Sequence, residues 1–328
     1  MLKRFAFLFL FFFVLIVLIP GLFCLTVKKP QSEDSAETKE FSDVSSTKKI
    51  NSYIVEQNET INIGLEEYIT GVVAAEMPAS FEKEALKAQA VAARSYILSK
   101  ISSGQKHDNG ADVCTNPACC KAYITKEAMK EKWGEDFDAF YNKIKSSVDE
   151  TINCVCLYDG KIINAVFHST SSGKTENASD IWQGQQTPYL VSVTSYGEEL
   201  SPKFKSSSSV TTEQFKNVIK AAFPDTEWQE NSPLVENIKR SEAGSILSLT
   251  VGNQTLTGTD IRSLFNLRSA NINFEITDSL VTMNVTGNGH GVGLSQYGAN
   301  YLASQGKDFA QILKTYYTGI EVVRLESI

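Results

Sequence analysis

The sequence predicts an α+β fold, with irregular helices mixed among antiparallel hairpins, preceded by one N-terminal transmembrane helix. Three observations carry this. Helical apolar spacing and short alternating runs occur without the regular strand–helix alternation of a parallel doubly wound sheet. Hydrophobic residues are 42% and charged residues 21% of the 328, enough to bury a sizeable core. Residues 5–27 carry no charge and are rich in Phe, Leu, Ile and Val. At about 1.5 Å per residue that run crosses a hydrocarbon core of about 30 Å.

The chain therefore divides into a short basic segment (1–4), an anchor (5–27), a polar tether (28–49) and a folded domain (50–328). The tether is Ser, Glu, Asp, Thr and Lys with almost no apolar residue. Bulky Phe23 before Cys24 suits neither ordinary cleavage nor lipid attachment, so the anchor is expected to stay. The domain after it is expected outside the cytoplasm. The net charge of −7 gives no basic footprint for nucleic acid. Six cysteines are too sparse for a small disulfide scaffold.

Within the domain, loose alternation over 50–63 predicts two short strands. An amphipathic helix over 66–75 ends at Met77-Pro78, because proline disfavours helix in the residue before it. Leu86, Ala90, Ala93 and Ile97 form one stripe and predict a helix over 82–99. A Gly/Asp/Asn loop follows over 102–117, then a helix over 126–151. Strands over 154–158 and 161–168 turn at Asp159-Gly160. A polar loop fills 169–188, and a helix covers 212–222. A second hairpin (246–251, 254–257) turns at Gly252-Asn253, ahead of a short helix over 260–265. A strand pair over 272–285 and closing helices over 294–304 and 308–317 complete the chain, the last stopped by Gly319.

Several segments carry chemistry. Glu76 sits among apolar residues at a helix end, where burial raises a carboxyl pKa and suits it to general acid work. A carboxylate paired with a structural arginine is the plainer alternative. Lys83, Lys87 and Arg94 fall near one helix stripe, able to hold an anionic substrate or simply to face solvent. His107, Cys114 and Cys120 offer zinc-type donors, with Cys119 as a spare thiol or fourth ligand. A Cys114–Cys120 disulfide is the competing reading. Cys154 and Cys156 share a strand face and read as core. His168 opens a Ser/Thr/Gly loop that suits a site wall, and His290 stands in the Gly-rich run 287–293 ahead of a helix.

These segments together resemble the stage II sporulation protein D family. The resemblance rests on Glu66-Glu67-Tyr68-Ile69-Thr70-Gly71-Val72-Val73-Ala74-Ala75-Glu76-Met77-Pro78 and on Ala85-Leu86-Lys87-Ala88-Gln89-Ala90-Val91-Ala92-Ala93-Arg94-Ser95-Tyr96. His168-Ser169, Gly173-Lys174-Thr175-Glu176, Trp182 and Pro188-Tyr189-Leu190 continue it. Gly289-His290-Gly291-Val292-Gly293-Leu294-Ser295-Gln296-Tyr297-Gly298-Ala299 closes it.

The resemblance implies an irregular α+β body with an open groove and a membrane-anchored lytic transglycosylase of sporulation. Such enzymes cut peptidoglycan glycan strands between N-acetylmuramic acid and N-acetylglucosamine, preferably peptide-free ones, and leave 1,6-anhydro ends. It places the catalytic acid on Glu76. Substrate-binding positions are then expected at Lys87, Arg94, His168, Tyr189, His290, Gln296 and Tyr297. A zinc site of some members falls on His107, Cys114 and Cys120. The chain departs from that pattern at Cys119, and at Lys121, where glutamine is expected.

Stage II sporulation proteins P and M are the implied partners, and the cell membrane at the sporulation septum is the implied location. Two other readings stand beside this one. One is a non-catalytic enhancer of a cell-wall amidase, from a likeness to that family. The other is a zinc-dependent hydrolase with Glu76 as base.

Overall fold

The computed structural model describes residues 48–326, apart from 105, 108, 117–118 and 183–186. The anchor expected over 5–27 and nearly all of the tether lie outside the described residues. Among those described, no helix is long and apolar enough to cross a membrane.

The folded chain opens with an antiparallel hairpin of β1 (Lys49–Ile54) and β2 (Glu59–Gly64). Helix α1 (Leu65–Glu76) follows directly. Its Leu65, Tyr68, Ile69, Val72 and Val73 are all completely buried, which makes it a core helix rather than a surface one. Pro78 ends it by holding Met77 extended, at φ −117° and ψ 145°. Helix α2 (Lys83–Ser102) buries the expected stripe of Leu86, Ala90, Ala93 and Ile97. Its alanines let α1 and three later helices pack closely around it.

β3 (Val113–Cys114) pairs in parallel with β1 inside the expected loop. The single helix expected over 126–151 is two, α3 (Lys126–Trp133) and α4 (Phe137–Glu150). They break at Gly134, whose φ 52° and ψ −120° no helix accommodates. β4 (Cys154–Tyr158) and β5 (Lys161–Ile162) form the expected hairpin, with Asp159 and Gly160 both at positive φ. β5 is short, however. The strand expected to run through 168 stops, and β6 (Phe167–His168) leaves for another partner. One turn of helix, α5 (Ala178–Ile181), interrupts the polar loop.

A lobe with its own apolar core is then inserted. It comprises β7 (Lys205–Thr211), α6 (Thr212–Ala222), β8 (Glu236–Arg240), β9 (Ile246–Val251), β10 (Gln254–Leu256), α7 (Gly258–Leu264), β11 (Ile272–Ile276) and β12 (Leu280–Thr286). Two three-stranded antiparallel sheets, ordered β11-β12-β7 and β10-β9-β8, close on Phe215, Ile219, Leu249, Val251, Ile261 and Met283. Capping boxes at Thr211 and Thr257 start its two helices.

The chain then returns to the main body. β13 (Leu294–Ser295) pairs in parallel with β6, so the closing helix α8 (Gln296–Ser304) starts two residues later than expected. Helix α9 (Phe309–Tyr316) and β14 (Glu321–Arg324) finish the fold, β14 pairing antiparallel with β4.

The interior of the main body is fastened by Arg94. Its side chain is completely buried and grips Glu66 with two nitrogens, Nε to Oε1 at 2.9 Å and Nη2 to Oε2 at 2.5 Å. Nη1 also donates to the Cys154 carbonyl at 3.0 Å. One guanidinium thus ties α1, α2 and β4 together. Glu66→Gln leaves that buried charge without its partner, with an expected loss of about 3–5 kcal/mol in denaturant unfolding. Gly71 on α1 lies against Tyr123, and a Cβ there would sit 2.2 Å from the ring. Gly71→Ala is therefore expected to cost about 1–3 kcal/mol in the same measurement.

Candidate active site

Glu76 is the last residue of α1, so its side chain leaves the core where Met77-Pro78 turns the chain away. It opens onto a cleft of about 430 Å³. Met77 and Pro78 form one rim, Trp133 and Phe140 come from α3 and α4, and Gln296 and Tyr297 come from the first turn of α8. Ser169, Lys132 and Lys203 complete the wall. Tyr297 is braced edge-on by Phe81, with ring centres 5.0 Å apart. Glu76 is the only carboxylate among the described lining residues.

Burial raises the pKa of Glu76. Three contacts oppose that rise: the nearby Lys121 ammonium, the Ala122 N–H, and Gln296. The Ala122 N–H donates to Oε1 at 3.2 Å, and Gln296 Nε2 donates to Oε2 at 3.4 Å. Gln296 also reaches Gln89 Oε1 at 3.5 Å, which orients its amide toward the acid. Lys121 itself is interior, and burial pulls its pKa down to about 8 against the pull of Glu76.

Of the substrate positions expected from sequence, the structure brings Gln296 and Tyr297 to this cleft and leaves the others outside it. Arg94 is enclosed with Glu66 and does not reach the cleft wall. Lys87 pairs with Glu84 and Glu150, each at 2.8 Å, and Lys83 also pairs with Glu150. The cationic stripe is thus spent on the protein's own carboxylates. The Tyr189 hydroxyl accepts the Asn164 N–H at 3.1 Å while its ring packs on Tyr158.

The two histidines serve the scaffold. His168 Nδ1–H donates to the Val292 carbonyl at 3.1 Å. His290 Nδ1 accepts the Val292 N–H, leaving Nε2–H to donate to the Phe167 carbonyl at 3.1 Å. Both rings are held neutral: burial pulls His168 down to about 4 and His290 well below its ordinary value. They clamp β6 to β13, and that clamp sets Ser169 beside Gln296 and Tyr297. The Gly-rich run serves the same end. Gly287, Gly289, Gly291 and Gly293 all have positive φ, and the Gly287 and Gly289 amides bond to Phe204 and Arg268 carbonyls.

The cysteine cluster assembles as a separate feature. The donor atoms of His107, Cys114, Cys119 and Cys120 all lie within 4.8 Å of one another. All three thiols are free, so the disulfide alternative is not taken up. Burial pushes the Cys114 thiol up to about 12. Burial also acts on Cys120, but donors from Lys100 and the Cys114 N–H outweigh it and leave that thiol below its ordinary value. Soft donors at this separation, one already biased toward thiolate, fit a tetrahedral zinc. None of the four lines the cleft.

Lys132, Trp133, Phe140 and Lys203 were not singled out from sequence. The first three lie at a helix–helix break that looked like continuous helix, and only Gly134 after Trp133 marked it. Lys203 precedes a serine run with no periodicity.

The family model described as "Stage II sporulation protein" matches residues 53–158. The chain is 36% identical over 296 residues to stage II sporulation protein D of Bacillus subtilis (strain 168), spanning 90% of this chain and 83% of that one. This chain belongs to the stage II sporulation protein D family. It is also 35% identical over 278 residues to the Bacillus amyloliquefaciens protein of that name, covering 84% and 78% of the two chains. A likeness of 26% over 300 residues links it to the amidase enhancer of Bacillus subtilis (strain 168), covering 76% of this chain and 39% of that one. Membership of this family is consistent with a cell-wall-active protein of sporulation.

The buried imidazoles carry a pH signature. A histidine whose folded pKa is depressed stabilises the fold above its unfolded pKa, and loses that contribution as pH falls toward the folded value. Stability is therefore expected to drop between about pH 6.5 and about 4. His168→Asn keeps a donor for the Val292 carbonyl without the titrating ring. Chemical melts at several pH values should show a shallower acid-side slope for it than for the wild type.

Proposed function

We propose that this protein is a lytic transglycosylase of sporulation that cuts peptidoglycan glycan strands between N-acetylmuramic acid and N-acetylglucosamine. The observation that carries this is the Glu76 carboxylate, the only one among the described lining residues and its pKa raised by burial, in an open cleft walled by Trp133, Phe140 and Tyr297. Ordinary glycosidases place two carboxylates about the scissile bond. One suffices when the sugar supplies its own nucleophile.

In this reading Glu76 gives its proton to the glycosidic oxygen, and the bond from that oxygen to C1 of the muramoyl residue breaks. The C6 hydroxyl oxygen of the same residue then bonds to C1, and its proton passes to the Glu76 carboxylate. No water is consumed, the acid is regenerated, and the new end is 1,6-anhydro. Gln296 and the Ala122 N–H hold the carboxylate in both protonation states. The aromatic walls offer ring faces to the sugars.

His107, Cys114, Cys119 and Cys120 would hold zinc, which would supply a cross-link between the loop after α2 and the segment leading to Ala122. The N-terminal run would anchor the domain in the cell membrane, outside the cytoplasm at the sporulation septum. Peptide-free strands, with stage II sporulation proteins P and M as partners, complete the proposal. The amidase-enhancer likeness supports a second reading, in which the cleft binds glycan without cutting it and raises the rate of another wall enzyme.

Mass spectrometry of digested peptide-free strands decides between them. The wild type is expected to release fragments ending in 1,6-anhydro-N-acetylmuramic acid, and Glu76→Gln to lose that activity by about 100- to 10,000-fold while staying folded. Reducing ends would mean hydrolysis, and no cleavage by a folded wild type would favour the enhancer. Chelation is expected to lower the melting temperature and the rate together. A lost rate with an unchanged melt would count against a bracing zinc.

A further inference from the structure

Where the inserted lobe meets the main body, the loop after β6 grips the turn between β8 and β9. Ser172 Oγ donates to the Ala243 carbonyl at 2.6 Å, the Ser245 N–H donates to Glu176 Oε1 at 3.2 Å, and Lys174 pairs with Glu242. Beside these contacts lies a small cavity of about 10 Å³, walled by Glu176, Ser172 and Ser245 together with Ser269, Asn271 and Thr286 of the lobe. Glu176 is only 3% exposed, and among the described residues no donor reaches its Oε2. A buried carboxylate oxygen left without a partner is costly, so something with positive character is wanted there.

The neighbouring side chains do not supply it, because their hydrogens point elsewhere. Ser172 spends its hydroxyl proton on Ala243, and Ser269 spends its own on the Thr286 carbonyl at 2.6 Å. The Asn271 amide nitrogen donates to the Ala243 carbonyl at 3.1 Å, so its oxygen is the atom left for the cavity. His290 also lines the cavity, but its Nε2–H goes to the Phe167 carbonyl and its Nδ1 accepts the Val292 N–H. Lys174 is the one lysine or arginine among the described lining residues, and Glu242 holds its ammonium. The recess thus offers a carboxylate and neutral oxygens with lone pairs to give.

We propose that this recess is a calcium site, in which the ion bridges Glu176 of the main body and oxygens of the inserted lobe. An oxygen donor set suits a hard cation rather than zinc. Magnesium keeps several of its waters, and a cavity the size of one water has no room for them. One carboxylate among neutral oxygens puts the affinity at the weak end of the calcium range, about 10⁻⁴ to 10⁻³ M. The site is separate from the cleft, since no described residue lines both. Its effect is to fasten the lobe.

The test uses the full-length protein with its zinc content verified, in a potassium chloride buffer. Calcium chloride is titrated by calorimetry, with magnesium chloride as the comparison. Terbium chloride is added in a second titration and excited through tryptophan. Trp182 lies close enough to report, its ring centre 5.1 Å from that of His290. The wild type is expected to bind one calcium per chain, and 10 mM calcium to raise its melting temperature by about 3–6 °C. Glu176→Gln keeps the acceptor for the Ser245 N–H and removes the charge. It should weaken binding by about 30-fold or more and lose the melting shift. Glu76→Gln should bind calcium as the wild type does, which separates this site from the cleft.

A wild type without saturable calcium binding would overturn the proposal and leave the recess to a water molecule. Binding undiminished in folded Glu176→Gln would overturn it too, as would an equal melting shift from magnesium. If Glu176→Gln does not fold, Asn271→Ala removes one neutral oxygen and should weaken calcium several-fold; unchanged affinity there would count against the site.

Discussion

The body hangs on the Glu66–Arg94 pair. Glu66 opens the helix whose last residue is Glu76, and Arg94 sits in the middle of the helix that packs along it. The guanidinium also reaches the backbone of β4, so three elements share one charge. A buried ion pair gives little net stability when compared with a well-packed apolar pair, but it tolerates few alternative arrangements. Its value here is geometric. It sets the direction and depth of α1, and so the point at which Glu76 emerges from the core.

At that point two opposed effects meet, and burial prevails. Burial favours the protonated carboxyl, while an ammonium, an amide N–H and a glutamine favour the anion. The partners arrive from distant parts of the chain: the amide from the segment beside the cysteine cluster, the glutamine from the far side of the inserted lobe. The cluster and the lobe each stand clear of the cleft and act on it through the backbone they hold in place.

Much of this was legible in the sequence where local signals and tertiary needs agree. The α1 and α2 stripes, the Met77-Pro78 stop, the Asp159-Gly160 turn and the 212–222 helix are each written in spacing or turn chemistry. So was the partial burial of Glu76, a carboxylate at the end of an apolar run. What was not legible depends on partners far away in sequence. β7 contains four consecutive serines, Ser206 to Ser209, and becomes a strand only because β12 pairs with it. β6 and β13 are two residues each and exist through one another. His168 and His290 looked like site residues because they stand in polar loops. Their roles came from backbone carbonyls that spacing cannot reveal. Arg94 was misplaced for the same reason, since its carboxylate lies on another helix.

The parallel β6–β13 pairing has a consequence in time as well as in space. Ser169 and Ser295, brought together there, are 126 residues apart in the chain, and the Glu76–Gln296 contact spans 220. Contacts of such separation form late, since the whole intervening chain must be made and ordered first. The cleft therefore has no finished wall until Gln296 and Tyr297 are in place. A copy made only as far as the inserted lobe carries Glu76 without Gln296 and Tyr297 beside it. The order of assembly thus leaves the cleft open on one side until the chain beyond the inserted lobe has been made.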